Sequence, residues 1–423
     1  MTILILVRLG MPIEYLNISM TDLVVQKFGG TSVANLDRIE KVAEIIKSSA
    51  ENNDVVVVIS AMAGETDRLF NLGQKYFNHD NVREMDALLS TGEVVSSSLL
   101  AMCLSSLGVK AKSFNASQLK LITKKDSSNK FATILSIDTT LIKNEIAHGV
   151  IPIITGFQGI DKKGDFTTLG RGGSDTTAVA VAAELKAREC QIYTDVKGVF
   201  SADPNKVNDA KVLECVTSEE MLELSGQGAK VLALRSVELG HKYKVPIKVL
   251  SSFEQSQGTK IIYNEPKDME QPVVTSITSE SNQAKFTIYG GKSSNDFSSS
   301  ILKLMAQKNI FVDVIVMNYE LNGAIDFSFT VQQDDLAEVE SILKENKGDL
   351  FEDYISESNL SKISVVGVGM RSQTGVASRV FSCLEGSNTS LKLVSTSEIK
   401  ITLVLECSQE KPTVESLHRE FFK

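Results

Sequence analysis

The sequence predicts an α/β fold in which helices sandwich a mainly parallel central sheet, followed by two smaller β-α-β-β modules. The run VVVVI at residues 55–59 is apolar throughout, as a central parallel strand covered on both faces requires. Similar runs alternate with stretches of helical periodicity as far as residue 249. Two similar halves then follow a polar stretch, beginning near residues 285 and 363.

The N-terminal part alternates strands and helices. Apolar runs predict strands at 23–28, 55–59, 150–154 and 191–194. After the first strand, apolar residues at helical spacing predict a helix: Leu36, Ile39, Val42, Ala43 and Ile46. An Ala- and Val-rich helix is predicted over 175–185, and TSEE at 217–220 starts another with a capping box. Strands that alternate with helices in this way predict a parallel sheet.

Each C-terminal half has the pattern β-α-β-β with room for a further helix, which is the ferredoxin-like pattern. The first half is predicted to contain strands at 285–290, 312–316 and 325–331 and a helix at 299–307. The second is predicted to contain strands at 363–367, 391–394 and 399–404 and a helix at 375–384. Such a pair is either a structural unit or a sensor of small ligands, and the pattern does not choose between them.

Composition along the chain predicts five segments. They are an N-terminal extension at 1–19, an α/β domain at 20–256, a linker at 257–272 and the two ferredoxin-like modules at 273–345 and 346–423. A second methionine, Met20, stands just ahead of the first strand, so the extension is expected to be dispensable for folding. The linker is polar and contains Gly258, Pro266 and Pro272.

Charge and cysteine usage exclude several classes of protein. The net charge of −9 and the pI of about 5.2 repel phosphate backbones, so nucleic acid is not an expected partner. The five cysteines are scattered without a CxxC pair, which argues against a disulfide framework and a zinc site and fits a reducing cytosol. No stretch approaches the roughly 18 apolar residues of a membrane span, so we expect a cytoplasmic protein without a membrane partner.

The first glycine-rich turn, KFGGTS at residues 27–32, follows a predicted strand, where open α/β sheets bind their ligands. Gly29 and Gly30 would let backbone N–H groups approach an anion, and Lys27 would add a full positive charge. The motif is not a P-loop, because the lysine precedes the glycines. Taken alone, a structural turn is the more common explanation.

Two further turns carry polar side chains. In TTLGRGGSDTT at 167–177, Arg171 stands among glycines as a planar fork suited to a carboxylate, which favours a binding function. Ser174 or Asp175 could instead only cap the helix that follows. In TDVKGVFSADP at 194–204, Asp195 at a strand end could accept a hydrogen bond from a ribose, orient a metal-bound water or belong to a simple turn.

Together with Ser60 and LSTGE at 89–93, these motifs resemble the aspartokinase family of the amino-acid kinase fold. KFGGTS, LSTGE, TLGRGGSDTTA, TDVKGVFSADP and STSEIKI occur in that family's order, and the resemblance covers about residues 22–423. It implies ATP-dependent phosphorylation of the β-carboxylate of L-aspartate to 4-phospho-L-aspartate, the first step of lysine, threonine and methionine biosynthesis, with Mg²⁺ carried on the nucleotide phosphates. It also implies two ACT domains that bind lysine or threonine as feedback effectors and join subunits into a homodimer or larger oligomer.

The resemblance also implies the site residues. Catalytic roles fall on Lys27 and Asp175. The phosphate and ATP site comprises Lys27, Phe28, Gly29, Gly30, Thr31, Ser32, Thr194, Asp195, Phe200, Asn205 and Lys230. The aspartate site, in which Arg171 faces the α-carboxylate and Glu93 the ammonium, comprises Ser60, Thr66, Glu93, Arg171, Gly172, Gly173 and Ser174. Effector contacts are expected at Met370, Ser372, Gln373, Thr374, Gly375, Val376, Ser397 and Glu398, and no resident metal site is expected.

The chemistry of a carboxylate acceptor agrees with this set of residues. A carboxylate with a pKa near ~4 is already ionised at neutral pH and needs no general base, so the absence of a motif histidine is intelligible. By residue type alone, Glu93 would be a carboxylate on a helix surface and Lys230 a solvated lysine. Two other functions stay open: a sibling kinase acting on glutamate, acetylglutamate or carbamate, and a weak or inactive kinase relic that senses amino acids and regulates a partner.

Four places depart from the family pattern. Phe200 stands where a tyrosine is usual, and Ala233-Leu234 replaces the usual His-Pro. Asn205 stands where an arginine is usual, and this loss of positive charge predicts weaker ATP affinity or a shifted nucleotide preference. In the first module, KSSND at 292–296 replaces the expected Asp-x-Pro-Gly turn, so an effector pocket is not expected there. Feedback inhibition is therefore expected to be altered or absent.

Overall fold

The computed structural model describes eight stretches of the chain. They are residues 22–78, 81–125, 131–229, 231–263, 272–291, 294–319, 325–385 and 389–423. The predicted extension at 1–19, Lys230, and the first two residues of the KSSND stretch lie outside the described residues.

The first domain contains twelve of the described strands and seven of the described helices. The strands are β1 (Leu23–Phe28), β2 (Asp54–Ile59), β3 (Ala111–Phe114), β4 (Ile122–Lys124), β5 (Thr133–Ser136), β6 (Ile151–Thr155), β7 (Gln158–Ile160), β8 (Phe166–Thr168), β9 (Glu189–Thr194), β10 (Cys215–Thr217), β11 (Ile247–Ser251) and β12 (Thr259–Ile262). The helices are α1 (Leu36–Ala50), α2 (Glu65–Gln74), α3 (Val82–Ser106), α4 (Thr140–Ala147), α5 (Gly173–Leu185), α6 (Ser218–Gly226) and α7 (Leu234–Tyr243).

An eight-stranded sheet forms the centre of this domain, in the order β10-β12-β11-β9-β1-β2-β6-β3. Its described pairings are parallel except the one between β11 and β12. The predicted mainly parallel sheet is therefore confirmed. Because β1 lies between β2 and β9, the segments that follow these three strands meet at one edge of the sheet, where α/β proteins bind ligands.

Two buried clusters cover the two faces of this sheet. Side chains alternate between the faces along each strand, so Val25 of β1 packs in the cluster that contains helix α5, and Val24 packs in the cluster that contains α1. All six residues of β1 are buried. Helix α5 is Ala- and Val-rich because it is buried nearly all round, from Gly173 to Ala182.

A smaller sheet, in the order β5-β4-β7-β8, leads into the second glycine-rich turn. Strand β8 ends at Thr168, directly before the sequence LGRGG. Helix α5 begins at Gly173, so the turn connects this small sheet to the helix that packs on the central sheet.

Helix α3 is, among the described helices, the one that is long and apolar enough to cross a membrane by length and composition. It also carries buried polar residues, including Ser90 and Glu93. The hydroxyl of Ser96 donates to the carbonyl of Ser60, the residue that follows β2, at 2.7 Å. The helix therefore packs as a core helix of the first domain.

The C-terminal part forms one six-stranded sheet with helices. Its strands are β13 (Ser276–Gly291), β14 (Ile315–Tyr319), β15 (Ile325–Gln332), β16 (Asp353–Val366), β17 (Leu391–Thr396) and β18 (Lys400–Glu406). Its helices are α8 (Ser294–Gln307), α9 (Leu336–Asn346), α10 (Val376–Glu385) and α11 (Glu410–Phe421). The strand order is β14-β15-β13-β16-β18-β17, and every described pairing is antiparallel.

Strands β13 and β16 are shared between the two predicted modules. The start of β13, at 276–280, pairs with 362–366 of β16, whereas its later part pairs with 353–357 and with β15. The predicted boundary at residue 345 separates the two modules along the chain. In space, however, β13 of the first module and β16 of the second are neighbours in one sheet. Pairing between strands this far apart leaves no local signal in the sequence.

Two predicted segments differ from the structure. The linker at 257–272 is wrong for residues 259–262, because these form β12 of the central sheet, with Thr259 and Ile261 buried. Only two buried side chains alternate there, and the polar neighbours obscured them. The strand predicted at 312–316 lies instead at Ile315–Tyr319.

Candidate active site

The first glycine-rich turn lies directly after β1, against the segment that follows β2. A Cβ on Gly30 would lie 3.0 Å from the carbonyl oxygen of Ala61, so the two backbones pack closely. Residues Thr31–Val33 then form a single 3₁₀ turn, in which the N–H of Ser32 donates to the carbonyl of Gly29 at 3.0 Å. The predicted turn at 29–32 is in place at the sheet edge.

Lys27 forms a buried ion pair with Asp175 across this turn. Its Nζ lies 2.5 Å from Oδ1 of Asp175, and the two residues are only 8% and 7% exposed. The Cβ position of Gly29 lies 3.2 Å from the same Nζ, so the ammonium is held against the glycines. Asp175 is in the first turn of α5, and its Oδ2 accepts from the backbone N–H of Ala233 at 3.4 Å.

The second glycine-rich turn presents Arg171 to solvent between two glycines with left-handed backbones. Gly170 has φ 78° and Gly172 has φ 71°, conformations that favour glycine. Arg171 is exposed and forms no ion pair with any described residue. It lines a cavity of about 360 Å³ together with Gly172, Asp175 and the segment 231–235. A planar guanidinium without a protein partner is available to a ligand carboxylate.

Glu93 is buried on helix α3, which rules out the alternative of a surface carboxylate. The residue is 2% exposed, and its Oε1 accepts from the backbone N–H of Ala61 at 3.1 Å. Its Oε2 has no hydrogen-bond partner among the described residues. Burial raises the pKa of Glu93 to about 8, against the lowering effect of the Ala61 hydrogen bond. A cationic ligand group would satisfy the free oxygen and restore the charge.

Ser60 and Ser174 flank the same edge of the sheet. The N–H of Ser60 donates to the carbonyl of Phe28 at 3.0 Å, which fixes the chain directly after β2 beside the first turn. Ser174 is buried, and a Cβ on Gly156 would lie 2.5 Å from its hydroxyl oxygen. Thr66 is half-buried on α2, and Gly173 is the first residue of α5.

The third turn continues from β9 on the other side of β1. The ring of Phe28 stacks on that of Tyr193 with centroids 4.7 Å apart, and the hydroxyl of Thr194 donates to Asp195 at 3.0 Å. Phe200 forms an isolated antiparallel bridge with Val212.

The Asn205 side chain bonds within its own turn. Its side-chain N–H and its backbone N–H both donate to Oδ1 of Asp203, at 3.1 and 2.9 Å, and it is exposed. The predicted ATP residue Lys230 falls outside the described residues.

Sequence reasoning missed Ser252, which ties the first turn to the third. Its hydroxyl donates to Oγ of Ser32 at 2.8 Å, and its N–H donates to the carbonyl of Thr194 at 3.0 Å. Arg38 in turn donates from Nη2 to the carbonyl of Ser252 at 2.7 Å and lies over the ring of Phe253. The only sequence signal was a pair of serines at the end of β11, Ser251 and Ser252.

Arg235 was also missed, and it supports the Arg171 turn. Its guanidinium donates to the carbonyls of Leu169 at 2.6 Å and Ala132 at 2.9 Å. A Cβ on Gly172 would lie 2.1 Å from the Cβ of Ala233, so the chain before Arg235 packs directly on this turn. An arginine within a helix gave no signal by itself.

The predicted effector residues lie on two loops of the second module. Of these residues, Val376 is buried at the start of α10, whereas Ser372, Gln373, Thr374 and Glu398 are exposed. Arg371 connects the two loops with the first domain, because it pairs with Glu398 at 3.3 Å and with Glu219 of α6 at 2.7 Å. Met370 lies in a 3₁₀ turn at Val368–Arg371, and Gly375 has φ 87°. The N–H of Ser397 donates to the carbonyl of Lys400 at 2.8 Å.

Comparison with known proteins identifies the family. The amino acid kinase family model matches residues 22–251, and an ACT domain model matches residues 363–421. The aspartate kinase Ask_LysC of Stutzerimonas stutzeri (strain A1501) is 45% identical over 401 residues, which is 94% of this chain and 97% of that protein.

Solved structures agree. E. coli aspartokinase III in complex with aspartate and ADP has a TM-score of 0.79 at 25% identity, over 95% of this chain and 100% of that chain. The same enzyme in complex with lysine and aspartate has a TM-score of 0.74 at 26% identity, over 95% and 100% of the two chains. This chain therefore belongs to the amino acid kinase family and, within it, to the aspartokinases.

Proposed function

We propose that this chain transfers the γ-phosphoryl group of ATP to the β-carboxylate of L-aspartate, giving 4-phospho-L-aspartate. The observation that carries the proposal is the placement of Glu93 at the same sheet edge as the Lys27–Asp175 pair. One buried oxygen of Glu93 has no hydrogen-bond partner among the described residues. Arg171, which forms no ion pair with any described residue, lines a cavity together with Asp175. The E. coli relative binds aspartate and ADP, which supports this choice of ligands.

The acceptor is an amino acid with a second carboxylate. Arg171 binds its α-carboxylate through a planar fork, and Glu93 receives its ammonium. Ser60, Thr66, Gly172, Gly173 and Ser174 line this side of the site. The β-carboxylate of aspartate is ionised at neutral pH, so no residue has to remove a proton from the nucleophile.

Phosphoryl transfer then depends on positioning and charge. Lys27 neutralises the negative charge on the moving phosphoryl group, and the N–H groups of Gly30 and Thr31 bind its oxygens. Asp175 holds the Lys27 ammonium at the turn through their 2.5 Å contact. Lys27 and Asp175 are therefore the proposed catalytic residues.

The nucleotide lies on the side of β9. Thr194, Asp195, Phe200, Asn205 and Lys230 are its proposed contacts. In the described part of the chain no three acidic, histidine or cysteine side chains gather at one point, so Mg²⁺ would be held mainly by ATP phosphate oxygens. That ion would offset phosphate charge.

The C-terminal sheet is the proposed regulatory domain and subunit interface. A complex of the E. coli relative contains lysine, which supports lysine or threonine as effectors. Strands β14 and β17 form the two edges of the sheet, and Ile315 and Met317 on β14 are 44% and 39% exposed. Exposed apolar residues on an open edge strand favour pairing with a second copy, and so a cytoplasmic homodimer or larger oligomer.

An acceptor panel tests this function. Purified protein with MgATP is offered aspartate, glutamate, acetylglutamate and carbamate, and ADP release is measured. We expect aspartate to give the highest kcat/KM. A preference for another acceptor would identify a sibling kinase, and absence of turnover with tight lysine or threonine binding would identify a sensor.

A further inference from the structure

The loop between β9 and β10 rests on the regulatory domain as well as on its own sheet. It carries three residues of the proposed ATP site: Asp195, Phe200 and Asn205. The hydroxyl of Ser276 donates to the carbonyl of Phe200 at 2.8 Å, and the N–H of Ile277 donates to the carbonyl of Ser201 at 2.8 Å. Both donors belong to β13 of the C-terminal sheet. This strand is therefore hydrogen-bonded to the loop between β9 and β10, which we call the ATP loop.

Glu410, the first residue of α11, joins four segments at one buried point. The residue is 7% exposed. Its carboxylate accepts from the hydroxyls of Ser279 at 2.8 Å, Ser281 at 2.6 Å and Ser361 at 2.6 Å. It also accepts from Nζ of Lys206, which extends from the ATP loop and donates to Ser279 at 2.8 Å as well. Helix α11, strands β13 and β16, and the ATP loop therefore meet at this carboxylate.

The Glu410 carboxyl is ionised at neutral pH. Burial alone would raise the pKa of Glu410, but hydrogen bonds from Lys206 and the three serines lower it to about 2. The pair with Lys206 is thus an ion pair throughout the neutral range, and such charge-assisted hydrogen bonds are the strong ones.

Lys206 and Asn205 belong to the same tight turn. The N–H of Lys206 donates to the carbonyl of Asp203 at 2.9 Å, and the N–H of Asn205 donates to the Asp203 carboxylate at 2.9 Å. The contact between Lys206 and Glu410 therefore restrains the turn that presents Asn205.

Beyond Lys206 the loop still packs on the helix, because Val207 is buried in the same apolar cluster as Val414 and Leu417 of α11. A groove of about 590 Å³ lies between residues 207–211 and the last turns of α11, with Lys211 and Arg419 among its lining residues. Ser201 meets Nε2 of His418 at 2.9 Å on the far side. The polar contacts at Glu410 and His418 and the apolar packing of Ala202 and Val207 therefore hold the loop on the helix together.

We propose that Lys206 and Glu410 are positioning residues for the nucleotide: helix α11 of the regulatory domain holds the ATP loop in its binding geometry through this ion pair. The inference rests on the proposed ATP-dependent activity. If the contact between helix α11 and the ATP loop changes, the affinity for ATP should change and the affinity for aspartate should not.

The test uses full-length Glu410→Gln, Lys206→Met, Lys206→Arg and the double variant Lys206→Met/Glu410→Gln. Glu415→Gln, a half-buried acid on the same helix without an ion pair among the described residues, is the matched control. MgADP affinity is measured by calorimetry, ATP and aspartate KM by initial rates, and the melting temperature is recorded for each protein. Lys206 lies near the surface, so its variants keep the test valid if Glu410→Gln fails to fold.

We expect ATP KM and the MgADP dissociation constant to rise about fivefold or more in Glu410→Gln and Lys206→Met, and no further in the double variant. Aspartate KM should stay within about twofold, and Lys206→Arg should keep near-normal affinity. Unchanged MgADP affinity in Lys206→Met, or equal changes in both KM values that follow the melting temperature, would overturn the proposal. Failure of the unsubstituted protein to bind MgADP would instead overturn the proposed function itself.

Discussion

The Lys27 ammonium lies 2.5 Å from a carboxylate oxygen of Asp175, and both side chains are buried at the carboxyl end of β1. A buried pair of this kind is weak evidence for stability, because its desolvation offsets much of its attraction. The position of the Lys27–Asp175 pair indicates a role in catalysis. It fixes one positive charge beside the glycine-rich turn, where a phosphoryl group would gain most from it.

Removal of the Lys27 charge should lower kcat far more than it weakens aspartate binding. We expect Lys27→Ala to lower kcat by at least about 10²-fold, because the charge acts most strongly on the transferring phosphoryl group. Aspartate KM should change by less than about threefold. Steady-state kinetics against Lys41→Ala, an exposed lysine on α1, would check this, and an unchanged kcat would exclude Lys27 from catalysis.

Replacement of the Arg171 fork should weaken aspartate binding. In Arg171→Lys the charge remains but the planar pair of donors is lost, so aspartate KM should rise about tenfold while ATP KM stays nearly constant. Arg188→Lys, outside the proposed site, is the control. If aspartate kinetics in Arg171→Lys match those of the parent protein, the assigned role is incorrect.

The buried Glu93 should make aspartate binding depend on pH. In the ligand-free protein, burial raises the pKa of the Glu93 carboxyl to about 8. Binding of the aspartate ammonium requires this carboxyl to be ionised. Binding below pH 8 therefore releases a proton, and aspartate KM should fall as pH rises from about 6 to 8, by up to tenfold per unit. Glu93→Gln should bind weakly and with a flat profile over this range.

The same residue should affect stability in the opposite sense. Because the folded pKa lies above the ordinary value of 4.5, the ligand-free protein loses stability as pH rises from about 4.5 to 8. Glu93→Gln should lack this part of the pH dependence in thermal unfolding. A variant that retains both pH profiles would show that another group titrates.

The departure at Asn205 should appear as weak nucleotide affinity. Asn205 is exposed and its side chain bonds to Asp203, so it brings no positive charge to the ATP phosphates. Asn205→Arg should lower ATP KM about threefold or more, because a phosphate contact would be regained. An ordinary ATP KM that this substitution leaves unchanged would contradict the expectation.

The sequence predicted those features that local patterns specify. The mainly apolar strands β1 and β2 were predicted because burial on both faces restricts residue types locally. The capping box at Thr217 was predicted because helix starts restrict them too. The placement of the first and third turns at one sheet edge followed from the parallel strands β1 and β9, whereas the second turn follows β8 of the smaller sheet. The resemblance supplied Glu93, whose burial no local pattern revealed.

Long-range contacts were not predictable in the same way. Strand β12 was hidden in a polar stretch because two buried side chains, Thr259 and Ile261, are too few to set a period. The pairing of β13 with β16 and the meeting of Lys206 with Glu410 join residues far apart in the chain. Ser252 is one serine among many until the fold places it between two turns.

The most direct test of aspartate phosphorylation is the formation of aspartyl hydroxamate by the chain with MgATP, hydroxylamine and L-aspartate. Hydroxylamine traps an acyl phosphate, so the product reports phosphorylation of the carboxylate itself. We predict hydroxamate in step with ADP release, lost in Lys27→Ala and kept in Lys41→Ala. ADP release without hydroxamate, or no turnover at all from a folded protein that binds MgADP, would contradict the assignment of this chain as a functional aspartate kinase.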